Sequence, residues 1–366
     1  MPHDVAQISA IENLRHEKDS RPRNAGRTSS SAGLTPMSLV AASPRLKTIM
    51  KNLFAILLTV VTTGSFAISA EPADPPAFKH ARVTDAWEAY AGKLTFGKGQ
   101  TLALLDDGCK LSMPEWSQSD GELPKVLVSY DSVDGDNDPK HEGRGYHGST
   151  IGIPSSVNYK GKLGVAFNNQ VAVVRALECC HCNVSDSKTL AAGLQWVIDH
   201  HQKYRITAIN LAPVDDLEHG QPVATEIDDK LKRLRELGIW VSAPAGNHAF
   251  TKGISWPACQ PNCFAIGAVR SGKDEVYLDR HAKIDLVVPA SATSSSNAIV
   301  CGAVLLLREA IEKSNYDWKK DGTNLPEAML AIFQKTGTAV EDPGTKLTFR
   351  RLDVKAALDH VFANVK

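Results

Sequence analysis

The sequence predicts a single α/β domain built on a doubly wound, largely parallel sheet flanked by helices. Two observations carry that expectation. Six short runs are dominantly apolar, show no polar alternate face and end in turn residues: QTLALL (100–105), VAVVRAL (171–177), ITAINLAP (206–213), IWVSAPAGN (239–247), FAIGAV (264–269) and IDLVVPA (284–290). Strands of that kind are buried on both faces, the usual condition of a parallel sheet. Segments of helical period stand between them, at 188–204, at 224–237 and after Ser294. Alternation of the two gives parallel strands joined by helical crossovers.

Composition bounds the partners. Of 366 residues, 43% are hydrophobic, which supplies a full core and excludes wholesale disorder. Basic and acidic residues both number 41 and no basic stripe stands out, so nucleic acid is not an expected partner. Seven cysteines leave at least one unpaired within the chain.

Residues 47–70 have the form of a secretory signal. Lys47 and Lys51 supply the positive end, LFAILLTVV (53–61) the apolar core, and Ser65 with Ala67, or else Ala70, the small-residue cleavage point. The apolar run is short for a membrane span, so the membrane is a partner only if the signal is retained. Residues 1–46 are polar and lack apolar periodicity. A signal placed so far in points to Met50 as the start. The expected division is a non-native or disordered extension (1–49), the signal (50–70), a short linker (71–84) and the folded domain (85–366). The expected product is monomeric, and secreted or periplasmic.

Within the body, VTDAWEAY (83–90) reads as a short helix, and the first apolar strand runs into Asp106-Asp107-Gly108. A carboxylate at a buried strand's end is costly without a partner. Next comes the acidic loop YDSVDGDNDP (130–139), whose Asp131, Asp134, Asp136 and Asp138 offer oxygens to calcium, although their spacing does not fill an EF-hand. A solvated loop is the alternative. After the strand at 171–177 stand Cys179, Cys180, His181 and Cys182; four neighbours cannot all turn to one ion, so disulfides suit an exported chain better than a metal. Cys259 and Cys263 allow either a short disulfide or two thiols. Ser185 and Asp186 open the 188–204 helix, and helices near 326–335 and 354–361 close the chain.

The stretch SATSSSNAIVCGAVLLL (291–307) joins a hydroxyl-rich turn to an apolar helix. It puts Ser294 where unpaired backbone N–H groups favour negative charge. With Asp106 and His147 it completes the set that acyl transfer by serine requires: a base to take the hydroxyl proton and a buried carboxylate to orient that base. The order Asp, His, Ser is one of several known for such triads.

At this point the chain resembles the subtilisin-like serine proteases, the subtilase or peptidase S8 family, from about residue 85 to 361. LALLDDG (102–108) looks like the family's catalytic Asp strand, HGSTIGI (147–153) its His motif, APAGN (243–247) its oxyanion Asn strand and ATSSSNAIVCG (292–302) its Ser motif. The resemblance implies a three-layer α/β/α fold. It also implies a secreted serine endopeptidase acting on proteins or peptides through Asp106, His147 and Ser294, with Asn247 as oxyanion donor. That chemistry requires no cofactor; calcium is an added expectation at the acidic loop.

Departures weigh on activity. Ala292 stands where the family keeps Gly, and Ser295, Ser296 and Ala298 replace its Met, small residue and Pro. Ala212, Pro213 and Val214 occupy the substrate-pairing segment, and Pro213 has no N–H to offer a ladder. Asp107 would perturb Asp106 if it turned inward and would do little if solvated. A catalytically impaired pseudo-protease, serving as a protein-binding module, is therefore the alternative. An esterase is disfavoured because the chain has no G-x-S-x-G elbow.

Overall fold

Strands with no polar alternate face need cover on both sides, and the fold supplies it. The computed structural model describes residues 71–139, 147–179 and 181–365; the expected extension and signal lie outside them. In chain order the strands are β1 (Glu71–Pro72), β2 (Thr101–Asp106), β3 (Val126–Asp131), β4 (Asn158–Tyr159), β5 (Lys162–Leu163) and β6 (Gln170–Arg175). They continue with β7 (Ile206–Leu211), β8 (Trp240–Pro244), β9 (Phe264–Val269), β10 (Ile284–Pro289), β11 (Thr338–Asp342) and β12 (Leu347–Arg351). The helices are α1 (Pro75–His80), α2 (Val83–Tyr90), α3 (Pro114–Ser117), α4 (His147–Ile151), α5 (Ile153–Ser156), α6 (Ser187–Tyr204), α7 (Asp228–Glu236), α8 (Thr293–Ser314), α9 (Leu325–Thr336) and α10 (Val354–Ala363).

Nine strands form the main sheet in the order β11-β12-β10-β9-β8-β7-β2-β6-β3, and β1, β5 and β4 form a small second one. Every neighbour in the main sheet is parallel except the β11–β12 hairpin. Successive side chains of a strand serve opposite faces. Leu102, Leu104, Val171 and Val173 join the core beneath α8 and α10. Ala103, Leu105, Ala172 and Val174 join the core beneath α6 and α7. The sheet is doubly wound about β2, which has β6 on one side and β7 on the other. The loops leaving the C-terminal ends of these three strands therefore diverge around one crevice, where open α/β sheets place their ligands.

Helix α8 has the length and apolarity of a membrane span, at a mean hydropathy of 1.2. Its most apolar stretch is 89% buried inside the fold, so it is the core helix of the domain.

Three expectations are corrected. The stretch 71–84 is not a linker: α1 buries Ala77 and Phe78 completely in the core, and Asp74 caps it by accepting the Ala77 N–H. The helix expected at 224–237 is shorter, since residues 224–227 form the turn before α7. The β11–β12 hairpin was not foreseen. Its strands bury only alternate residues at the sheet's edge, so they lack the continuous apolar run that marked β2 and β6–β10; the partly buried strand β3 at the opposite edge was not foreseen either.

One buried cation has no carboxylate partner among its hydrogen bonds. Lys125 is 2% exposed and donates to the carbonyls of Phe167 (2.8 Å) and Asn169 (2.6 Å). Burial lowers its pKa from 10.5 to about 7. Between those values the unfolded chain holds a proton that the folded chain has lost, so stability rises with pH across that window. Urea unfolding should show this contribution complete above pH 10.5, declining as pH falls and gone below about 7. Lys125→Met should flatten the profile, and an unchanged profile would contradict the assignment.

Candidate active site

Asp106 ends β2 at the switch point, 1% exposed. Its Oδ2 lies 2.6 Å from Nδ1 of His147, the first residue of α4, and its Oδ1 accepts the Asp107 N–H at 2.8 Å. The pairing depends on a bare backbone at Gly148. A Cβ there would stand 2.2 Å from the Gly108 carbonyl and 2.9 Å from the Asp106 Cβ. Asp107 is buried rather than solvated, and its Oδ1 accepts the Gly148 N–H at 2.8 Å. The two acids thus divide the work: Asp106 holds the imidazole and Asp107 holds the turn that carries it.

Burial alone would depress the His147 pKa, but the charge and hydrogen bond of Asp106 outweigh it and Asp107 adds to them, leaving the imidazole above its ordinary 6.5. With Nδ1 committed to Asp106, the ring's Nε2 is the nitrogen left for proton transfer.

Ser294 is the second residue of α8 and 7% exposed. It lines a cleft of about 310 Å³ together with His147, Asn247, Ala292, Ala212 and Val214. Ala292 precedes the helix at φ −147°, ψ 155°. That is extended backbone open to any L-residue, so the Cβ added where the resemblance expects glycine strains nothing.

Asn247 is locked from one side. Its Oδ1 accepts both the backbone N–H and the hydroxyl of Thr293, each at 2.9 Å. A backbone N–H can only donate, which fixes the amide's orientation and leaves its NH₂ as the free, cleft-lining end. The Ser294 N–H is one of the first four that a helix leaves without an internal acceptor. Two donors and a serine hydroxyl therefore share one concavity with a carboxylate-oriented imidazole.

The chain belongs to the subtilase family. Its sequence matches the model of that family over residues 97–346, and it is accordingly a serine-type endopeptidase. Among solved structures, a protease from Pseudoalteromonas arctica superposes with a TM-score of 0.57 at 18% identity, covering 76% of this chain and 98% of that one. A cold-adapted subtilisin-like serine proteinase superposes with a TM-score of 0.53 at 18% identity, covering 70% and 89%. These likenesses are of fold. No curated protein matches the chain.

Around the cleft this subtilase differs from what the resemblance implies. In the 212–214 segment, the Ala212 N–H already donates to the Leu105 carbonyl at 3.1 Å. Val214 is bridged in parallel to His181, and its carbonyl accepts the Cys182 N–H at 2.8 Å. One N–H and one carbonyl of the segment are thus paired within the chain. His181 is in turn held to Asp216 (Nδ1 to Oδ2, 2.5 Å), whose other oxygen lies 3.5 Å from Nδ1 of His248.

In the acidic loop, Nη1 of Arg175 lies 2.7 Å from Oδ2 of Asp131 and 2.6 Å from Oδ2 of Asp134, so a guanidinium neutralises these two carboxylates. Oδ1 of Asp131 accepts the N–H groups of Val133 and Asp134, and Asp136 accepts the Asp138 N–H. Among the described residues no three His, Cys, Asp or Glu side chains converge as metal ligands. The six described cysteines, Cys259 and Cys263 included, are free thiols, which corrects the disulfide expectation; Cys180 lies outside the described residues. Cys259 and Cys263 are buried as small apolar groups, and burial pushes their pKa values up to about 11 and about 12.

Sequence reasoning missed the polar network beneath Ser294. The buried Asn297 donates to the Asn210 side chain (2.7 Å) and the Ser242 carbonyl (3.0 Å), and Ser296 donates to the Val288 carbonyl (2.9 Å). These bonds pin the first turn of α8 to β7, β8 and β10. The signal was available, since a buried apolar helix has no other reason to begin with Ser-Asn.

Two measurements check this picture. Titrating the His147 ring by NMR should give a pKa above 6.5 that Asp107→Asn moves down; a value at or below 6.5 would contradict the pairing. Asn297→Ala should cost about 1–3 kcal/mol in urea unfolding, because it leaves the buried Asn210 Oδ1 without its donor.

Proposed function

We propose that this chain is an exported serine endopeptidase that cleaves peptide bonds through an acyl-enzyme on Ser294. The observation that carries the reading is the 2.6 Å pair of the buried Asp106 with the half-buried His147, opening onto the cleft that holds Ser294 and the amide of Asn247. In this reading Nε2 of neutral His147 takes the Ser294 proton as Oγ attacks the scissile carbonyl. Asp106 stabilises the imidazolium that forms and keeps the ring in register. The carbonyl oxygen becomes an oxyanion received by the Asn247 NH₂ and the Ser294 N–H, and one such donor is typically worth ~10²–10³ in kcat. His147 then passes its proton to the departing amine. Water repeats the sequence in reverse to release the acid and free the serine.

Export is supported by the signal-like residues 47–70.

A second reading has its own observation. With Val214 already paired to His181 and Cys182, that wall offers a peptide fewer free backbone groups, which favours a domain that binds proteins without cutting them efficiently.

Unfolded casein and a fluorophosphonate probe separate the two, because the small probe needs no strand pairing. Labelling and cleavage that both vanish in Ser294→Ala are the expected result. Labelling without cleavage favours the binding module, and a folded chain that shows neither removes Ser294 as a nucleophile.

A further inference from the structure

The side chain of Asn247 is fixed by Thr293, but its backbone is fixed by a residue outside the cleft. Asp279 lies in the connection between β9 and β10 and is completely buried. Its Oδ1 accepts the N–H groups of His248 (2.8 Å) and Phe250 (3.0 Å), the residues just after Asn247. Just before it, the Gly246 carbonyl accepts the Asp279 N–H at 3.4 Å. The carboxylate sits flush against that glycine. At φ +117° Gly246 takes a conformation that L-residues avoid, and a Cβ on it would stand 2.1 Å from Oδ2 of Asp279. The Arg280 N–H donates to the Phe250 carbonyl at 2.7 Å and closes the turn from the other end. Asn247 is therefore the one residue of 246–248 that carries its side chain to the cleft, with Asp279 gripping the backbone on both sides of it.

Resting on the reading of the site given above, we propose that Asp279 is a positioning residue for the oxyanion donor, holding the 246–250 turn from behind so that the Asn247 NH₂ stays aimed at the developing charge. Burial lifts the Asp279 pKa to about 6, against the pull of the Phe250 and His248 N–H groups. At neutral pH it is then a carboxylate, and its two bonds are charge-assisted, roughly twice as strong as neutral ones. A donor displaced from the oxyanion loses its effect in the transition state more than in the ground state, so the loss belongs in kcat rather than KM.

The test uses fluorescein-labelled casein and four variants: Asp279→Ala, Asp279→Asn, Asn247→Ala and the double Asp279→Ala/Asn247→Ala. Asp279→Ala should lower kcat about tenfold or more with KM changed less than about twofold. Asp279→Asn, which keeps an acceptor at Oδ1, should recover all but about threefold of it. Because Asp279 acts through Asn247, the double variant should be no slower than Asn247→Ala alone. Losses that multiply, or a KM effect at constant kcat, would overturn the proposal, since a merely structural role does not know which side chain the turn carries. If Asp279→Ala does not fold, Asp279→Asn decides in its place. Its threefold loss should disappear in the Asn247→Ala background, and an equal loss in both backgrounds overturns the proposal. A wild-type chain that neither reacts with fluorophosphonate nor cleaves casein removes the reading of the site and this proposal with it. A reactive wild type with multiplicative losses removes the proposal alone.

Discussion

A carboxylate buried at the end of a strand has to be answered, and the answer given to Asp106 shapes the site. Its partner, the His147 imidazole, comes from a helix that can approach only because Gly148 has no side chain, and Asp107 anchors that helix's first turn. Removing such a partner leaves an uncompensated buried charge, so this arrangement constrains stability and chemistry together. The position at the switch point of the sheet follows from the same strand order. The chain departs from β2 in both directions, and the groups at its end meet loops from β6 and β7.

The opposite wall is built by α8. A long apolar helix would slide or rotate freely in a hydrophobic core, because dispersion contacts have little directional preference. The hydrogen bonds of Ser296 and Asn297 remove that freedom and set the register of Ser294 against the sheet. Thr293 then ties α8 to Asn247, so the helix that carries Ser294 and the amide of Asn247 share a single residue. Each of these directions comes from a polar bond inside an apolar frame.

Charge elsewhere in the fold is handled locally. Arg175 serves the acidic turn, pairing with both Asp131 and Asp134. His181, Asp216 and His248 tie together three loops at the rim of the cleft, beside the segment whose backbone is already paired.

The sequence by itself determined the sheet and its order of events. Continuous apolar runs such as LALL and VAVV can only be two-sided strands, and the turn residues that end them mark Asp106, Asn247 and the hydroxyls around Ser294. What local pattern could not determine is which groups meet at long range. Asp107 turns inward because the Gly148 N–H needs an acceptor, the aspartates at 131 and 134 bind Arg175 because β3 and β6 are neighbours, and Val214 finds His181 across the crevice. Nor could it assign Asp279, whose exposed-looking setting, EVYLDRH, gives no hint of complete burial. Secondary structure follows from the spacing of apolar residues along the chain. The partners of buried polar groups are chosen by tertiary contact, since each must be satisfied by whatever the fold brings within hydrogen-bond reach.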